Sequence, residues 1–219
     1  PIRWISTEHN ISSYFLLTAM SQLTDDPRYR DAARAIQVTL LTELWQDDLG
    51  QFAQGMREDG AMDRTRALDC ASWGALFLLA IGEKDKVARA MSTVDRVYRS
   101  EHRGIRGYRP YSEVSVYKNP RIQRALLPDT PDAQWQNLPV VWSEGTLGVA
   151  LAQLRLGNVA GARGLLTEML KLREGGGLQY ASRELPYEFV GYPSVGGTAW
   201  HIIVEETLRN PNAPKVWAR

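Results

Sequence analysis

The chain contains very little cysteine and histidine. Among 219 residues there is one cysteine, Cys70, and there are three histidines. A single cysteine excludes an intrachain disulfide and a cysteine-based zinc site, and the histidines show no metal-ligand spacing such as HExxH. We therefore predict no metal and no cofactor, and we assign Cys70 a buried structural role in an apolar helix start.

Long apolar runs and an excess of one charge are also lacking. No stretch approaches the ~18 apolar residues that a membrane-spanning helix needs. The 26 basic and 25 acidic side chains give a net charge of +1, which provides no argument for nucleic acid or an anionic membrane as a partner. No signal peptide is visible, but the chain opens abruptly on PIRWISTEHN, which suggests a fragment, a processed chain or an excised domain. The cellular compartment therefore stays open.

Helical periodicity dominates the pattern that is present. The 44% hydrophobic content suffices for one sizeable core, so we predict a single domain over residues 1–219. Short turns join the predicted helices in pairs, with Asp26 before Pro27 as an N-cap and with Gly82 and Gly157 at left-handed C-terminal positions. The predicted helices cover residues 8–23, 27–46, 67–82, 84–99, 143–156, 158–172 and 197–208.

Long connections, at 47–66, 100–141 and 173–196, separate these helix pairs. In a row of antiparallel hairpins the short turns lie at one end, so the first helix of every pair begins on the long-loop face. The first helices are apolar on nearly all sides, as in ASWGALFLLAI, whereas the second helices are amphipathic. Inner apolar and outer amphipathic helices are typical of an all-α fold, the α/α toroid.

Three acidic residues lie at equivalent places, just before the apolar run of a first helix. They are Glu8, Asp69 and Glu144, and a fourth helix start has Thr198 in this place. Helix N-termini carry partial positive charge and free N–H groups, so each acid alone is also explained as a cap. Three acids on one face, beside loops rich in aromatic residues, favour a carboxylate-lined cleft.

The residues around these helix starts resemble the six-hairpin glycosidase-like superfamily, the (α/α)6 toroids of bacteria. The resemblance is carried by TEHN at 7–10, ALDCASWGALFLL at 67–79, WSEGT at 142–146 and YPSVGGTAWHIIVEE at 192–206. It implies an incomplete or shortened toroid, since the chain has roughly three and a half helical hairpins. The rest of a longer chain, or a partner protein, would complete the barrel. Members of the superfamily include inverting glycoside hydrolases, polysaccharide lyases and sugar epimerases.

Paired carboxylates would support the inverting hydrolysis of a polysaccharide. One carboxyl protonates the leaving oxygen and the other activates a water, at a separation of ~6.5–9.5 Å. Acids on neighbouring helices, whose axes lie ~8–10 Å apart, can meet this spacing. We assign Glu144 or Glu8 as the general acid and Asp69 as the base. Trp142 and Trp73 would supply the apolar wall that raises the pKa of the acid.

Seven residues are predicted to bind substrate, because aromatic rings stack on sugars and polar side chains bind sugar hydroxyls. For the loop aromatics, packing is an equally good explanation, and the two histidines and the asparagine are also explained as structural groups. The seven are His9, Asn10, Trp142, Tyr180, Tyr192, Trp200 and His201.

Three functions remain in competition. An inverting glycoside hydrolase that acts on an oligo- or polysaccharide is the leading one. A lyase or a sugar epimerase would abstract a ring proton, for which His9, His201 and Tyr180 are candidates. A partial toroid that binds a glycan or a partner protein without catalysis is favoured by the missing hairpins.

Overall fold

The computed structural model describes residues 3–210, and helices account for most of this part of the chain. A five-residue π-helix follows α2, and a single 3-10 turn precedes α6. The helices are α1 (Thr7–Thr24), α2 (Pro27–Thr39), α3 (Leu68–Ile81), α4 (Lys84–Val97), α5 (Pro120–Leu126), α6 (Ser143–Arg155), α7 (Val159–Leu170) and α8 (Val195–Arg209).

Short strands occupy the connections between the helices. None of the strands in the described part of the chain is longer than four residues, so they form local hairpins and small sheets. The strands are β1 (Ile5–Ser6), β2 (Trp45–Gln46), β3 (Gln51–Phe52), β4 (Gly55–Met56), β5 (Met62–Asp63), β6 (Arg66–Ala67), β7 (Arg99–His102), β8 (Ile105–Tyr108), β9 (Tyr111–Ser112), β10 (Arg173–Glu174), β11 (Gly177–Gln179) and β12 (Pro193–Ser194).

All seven predicted helices are present, and the mostly helical class is confirmed. The small sheets and α5 were not predicted, because strands of two residues carry too few side chains for an alternating pattern. The predicted turn chemistry is also confirmed. Asp26 accepts a hydrogen bond from the Arg28 amide at the start of α2, and Gly82 and Gly157 have φ of 86° and 82°. The incomplete or shortened α/α toroid stays a prediction.

The described residues group into two compact units, one running to Thr93 and the other beginning at Val94, within α4. The prediction of one domain over residues 1–219 therefore remains a prediction. No helix in residues 3–210 has the length and hydropathy of a membrane span. The two units are described separately.

In the first unit, α1 packs against α2 and α3. The Tyr14 ring of α1 meets the Phe77 ring of α3 edge-on, with centroids 4.9 Å apart. Phe52 of β3 packs on Phe77 and is fully buried. The core of this unit therefore lies where α1, α3 and the β2–β3 hairpin meet. Cys70 lies in it, fully buried as predicted.

The start of α1 is held by a strand pair. Ser6 of β1 is opposite Gly55 of β4, and β4 pairs in turn with β5. Thr7 donates from its backbone amide to Gln54 O, at 3.0 Å, and from its buried hydroxyl to Ala53 O, at 2.6 Å. These bonds fix the position at which α1 begins and the direction in which its first residues point.

In the second unit, α6 packs against α7 and α8. Nearly all residues of α6 up to Ala152 are buried, so this helix is the centre of the unit. Pro193–Ser194 of β12 pairs with β11 immediately before α8, and Ser194 caps α8 by accepting from the Gly197 amide. The inner apolar helix predicted for this region is thus α6.

Candidate active site

The three predicted acids occupy one and the same helical position. The N-cap residues of α1, α3 and α6 are Ser6, Ala67 and Trp142, so Glu8, Asp69 and Glu144 are each the second residue of their helix. The cap of α1 is Ser6 rather than Glu8. In α3, whose N-cap Ala67 makes no side-chain hydrogen bond, Asp69 itself accepts from a free amide of the first turn, that of Cys70.

Glu8 and Asp69 lie close together in the first unit. The negative charge of Asp69 contributes to the raised pKa of Glu8, after burial. Tyr14 and Phe77, six and eight residues further along, also meet. Because Tyr14 packs on Phe77 and the charge of Asp69 reaches Glu8, α1 and α3 run side by side in the same direction and begin at the same end. The prediction that first helices share a face holds within this unit.

Burial makes the carboxyls of Glu8 and Asp69 weaker acids than exposed carboxyls. Burial is the main cause of the raised pKa of Glu8, with Asp69 adding to it and His9 opposing it. Burial also raises the pKa of Asp69, although hydrogen bonds from Cys70 work in the opposite direction. One of these bonds runs from the Cys70 amide to Asp69 Oδ1, at 2.7 Å. The pair therefore favours holding a proton more than two exposed acids would.

A third carboxylate, Asp63, belongs to this cluster and was missed in the sequence. Burial, and then the charges of Asp69, Glu8 and Asp63, raise the pKa of the Cys70 thiol well above its usual value. Asp63 lies on β5, opposite Gly55 of β4. The sequence carried no signal for it, because Asp63 belongs to a two-residue strand and does not begin an apolar helix.

His9 and Asn10 take different roles beside Glu8. His9 Nε2 lies 3.2 Å from Glu8 Oε2, and the His9 side chain is 68% exposed. The ring of Trp4 lies against His9, with centroids 5.8 Å apart. Asn10 donates to Ser6 O within the first turn of α1, at 2.8 Å. His9 is therefore a solvent-facing polar group next to the carboxyl pair, and Asn10 stabilises the helix start.

Glu144 lies in the second unit, against the beginning of α8. A Cβ on Gly196 would lie 2.5 Å from Glu144 Oε2, and one on Gly197 would lie 2.5 Å from Ser143 Oγ. Gly196 is the second residue of α8, in the place that Glu144 has in α6. The lack of a side chain there leaves room for the Glu144 carboxylate.

The alignment of Thr198 with the three acids was wrong. The structure begins α8 at Val195, two residues before the predicted start, so Gly196 is the counterpart of the acids. Thr198 instead accepts a hydrogen bond from the Leu178 amide, at 3.0 Å, which joins α8 to β11. The misalignment arose because glycine is unfavourable inside helices, so the sequence VGG at 195–197 was assigned to the end of the preceding loop.

The predicted substrate-binding aromatics fall into two groups. Trp142 and Trp200 are 8% and 6% exposed, so protein covers most of each ring. Tyr192 is 73% exposed, and the partly buried Tyr180 ring packs on Phe189 with centroids 5.0 Å apart. His201 lies 3.5 Å from Glu205 one turn along α8. A role in substrate binding stays a prediction for all of them.

Residues 3–210 contain no group of three or more His, Cys, Asp or Glu side chains arranged to hold a metal ion. The chemistry that the first unit offers is proton transfer, through two carboxyls of raised pKa beside an exposed histidine. The class of protein that these observations define is a mostly helical one with paired carboxyls at shared helix starts.

No family model and no curated protein matches the chain. Among solved structures, the chain is similar to a possible member of the GH105 family from Salmonella enterica serovar Paratyphi A, with a TM-score of 0.62 at 13% identity. The match covers 95% of this chain and 57% of that one. The two proteins therefore share a fold, and this chain spans little more than half of the length of the Salmonella protein.

The raised pKa values of Glu8 and Asp69 predict how stability depends on pH. In the unfolded chain both carboxyls lose their protons near pH ~4. In the folded chain they do so at higher pH, so the folded chain binds more protons between these values. The free energy of unfolding should therefore fall as pH rises through this window. Glu8→Gln and Asp69→Asn remove the ionisable groups, and each should melt at a higher temperature than the parent at neutral pH.

Thermal unfolding followed by circular dichroism measures this difference between acidic and neutral pH. The advantage of the amide variants should disappear towards pH ~4 and below, where the parent carboxyls are protonated in both states. Glu58→Gln serves as the matched control, since Glu58 is an exposed acid of the same unit that pairs with exposed Arg3. Amide variants that melt below the parent at neutral pH would contradict the assignment.

Proposed function

We propose that the protein is carbohydrate-active and, most simply, that it is an inverting glycoside hydrolase acting on a polysaccharide. The observation that carries this proposal is the Glu8–Asp69 pair. Two carboxyls of raised pKa stand at neighbouring helix starts, and the charge of Asp69 adds to the rise in the pKa of Glu8. The shared fold with a possible GH105 protein supports the substrate class, and the pair supports the reaction.

In this mechanism Glu8 is the general acid and Asp69 the general base. The raised pKa of Glu8 favours its protonated form, which can donate to the leaving glycosidic oxygen, more than an exposed glutamate would. Asp69 takes a proton from the attacking water, and burial, which raises its pKa, makes it a stronger base. The C–O bond of the leaving group breaks as the water oxygen bonds to the anomeric carbon from the opposite face. Each turnover leaves Glu8 deprotonated and Asp69 protonated, and solvent restores both.

His9 has the position of a proton carrier for Glu8. Its ring nitrogen lies 3.2 Å from the Glu8 carboxylate and its side chain is mostly exposed, so it can pass protons between Glu8 and water. Trp73, one turn after Asp69, is buried, and we propose it as the apolar wall of the pair. Glu144 remains the alternative acid that the sequence proposes.

A second candidate is a glycan-binding module without catalysis. The chain spans 57% of the Salmonella protein, so a complete barrel would need the rest of a longer chain or a partner. A half barrel can present a sugar-binding surface even where the catalytic cleft requires the other half.

The test is an assay of the protein on neutral and acidic polysaccharides, with the products identified by NMR. Hydrolysis with inversion at the anomeric carbon supports the proposal. A rise in ultraviolet absorbance from an unsaturated uronic product would show that the protein is a lyase and not a hydrolase. Binding without any product would favour the non-catalytic module.

A further inference from the structure

The segment 180–196 of the second unit is a loop whose two ends meet at the first turn of α6. At its beginning, Ser143 donates to Tyr180 O from both its amide, at 3.1 Å, and its hydroxyl, at 2.9 Å. At its end, Gly196 lies directly against the Glu144 carboxylate. This segment follows β11 and runs into α8, and it is held at its base by contacts of both ends with α6.

The tip of this loop is a rigid three-residue turn. Leu185 and Phe189 exchange backbone hydrogen bonds of 2.8 and 2.7 Å, and Glu188 N donates to Leu185 O at 2.9 Å. Both Leu185 and Phe189 are buried, and the Phe189 ring packs on Tyr180 and on Trp135. The turn Pro186–Glu188 is therefore fixed by buried residues on both sides.

Tyr187 lies at the centre of this turn. The backbone conformation there is unfavourable for tyrosine, and packing of the side chain does not compensate for it. Its φ is 69°, a left-handed conformation that glycine and asparagine adopt far more readily than bulky residues. Its side chain is in solvent, since the residue is 86% exposed. Among the non-glycine residues of positive φ in the described chain, Tyr187 is the sole aromatic. Backbone strain that local packing does not offset is characteristic of residues that contact a ligand.

We infer that Tyr187 is the principal ring of a sugar-binding platform on this loop, with exposed Tyr192 as its second ring. The inference rests on the proposed carbohydrate activity and names a site within it. Tyrosine offers a flat apolar face to the C–H face of a pyranose and a hydroxyl to the sugar edge. The ligand class is an oligosaccharide chain, bound beside the helix turn that carries Glu144.

The surroundings of the two rings favour a sugar over a protein partner. Glu184 and Glu188 lie on the same loop, and both residues are exposed. Along the chain, carboxylates that can accept hydrogen bonds from sugar hydroxyls therefore alternate with the two tyrosine rings. Glu184 also lies against Gly191, within 3.0 Å of where a Cβ would stand, which keeps the loop compact. The centre of a protein–protein interface is depleted of charged residues, whereas carboxylates can accept hydrogen bonds from sugar hydroxyls.

The decisive variant is Tyr187→Asn, which relieves the backbone and removes the ring. It should raise Tm by about 2–4 °C and weaken binding to polysaccharide by about tenfold or more. Affinity electrophoresis in gels containing xylan, polygalacturonate, alginate or dextran measures binding, and calorimetry measures Tm. Tyr187→Phe keeps the ring and the strained backbone, and should retain most of the binding with an unchanged Tm.

Arg103→Asn is the matched control, since Arg103 is also exposed, has φ of 52° and precedes a glycine. It should raise Tm in the same way and leave binding unchanged. Equal binding by the parent and Tyr187→Asn would overturn the platform, while turnover by both would keep the proposed hydrolase. A parent that neither binds nor cleaves any of the four polysaccharides would overturn the proposed function, and the platform with it. A fall in Tm for Tyr187→Asn would show that the tyrosine is there for stability, and would also overturn the inference.

Discussion

Glu8→Gln and Asp69→Asn are each expected to lower kcat by about 10²–10⁴-fold, the usual contribution of a positioned acid or base. An amide has nearly the same size and shape as the carboxyl but can neither release nor accept the transferred proton. Burial raises the pKa of both parent carboxyls, so the amides should fit the folded site at least as well as the acids do. Loss of turnover together with an unchanged or higher Tm would separate a chemical role from a structural one.

The measurement is kcat from reducing-sugar release, alongside far-ultraviolet circular dichroism. Glu58→Gln, which changes an exposed acid of the same unit, should turn over like the parent. Glu144→Gln decides between the two acid assignments. Loss of turnover in Glu144→Gln and Asp69→Asn, with activity kept in Glu8→Gln, would move the general acid to Glu144. Full activity in all three amide variants would remove the basis of the proposed hydrolase.

Gly55→Ala should have the largest effect on stability, with a loss of about 3 kcal/mol or more. A Cβ on Gly55 would lie 1.8 Å from Ile5 O and 2.9 Å from the Ile5 carbonyl carbon. Both neighbours are backbone atoms of β1, so no side-chain rotation can relieve the overlap. The β1–β4 pair must separate, and the start of α1 with Glu8 must move with β1. We therefore expect a lower kcat in the fraction that stays folded.

Urea unfolding followed by tryptophan fluorescence gives the free energy of unfolding for this variant. Gly164→Ala is the control, because a Cβ there meets nothing within 4 Å. Alanine inside a helix should stabilise by roughly 0.5–1 kcal/mol relative to glycine. A Gly55→Ala protein with the stability of the parent would show that β1 and β4 do not pair as described.

Local signals in the sequence predicted most of the helical framework. Asp26 and Pro27 start α2, and Gly82 and Gly157 end the preceding helices in left-handed conformations, because these residues act through their own backbones. The equivalence of Glu8, Asp69 and Glu144 was also readable, since each directly precedes an apolar run. The equivalent residue in α8 was misplaced, because Gly196 and Gly197 hide the start of that helix.

Residues outside regular helices were beyond this kind of prediction. Asp63 joins the Glu8–Asp69 cluster through the pairing of β4 with β5, a contact that no local pattern encodes. The burial of Trp142 and Trp200 and the exposure of Tyr187 likewise depend on which faces neighbouring elements cover. An aromatic residue in a loop reads the same in sequence whether it packs inward or faces solvent.

Local patterns in the sequence were enough to predict a mostly helical chain, the course of its helices, and acids at three matching helix starts. These properties follow from backbone preferences and from the spacing of apolar residues, which act over one or two turns. The electrostatic interaction of partly buried Glu8 with Asp69, and the position of Glu144 against Gly196, came from the tertiary structure alone. The pKa of a carboxyl depends on burial and on charges brought close by packing, and those distances are set by contacts between residues far apart in the chain.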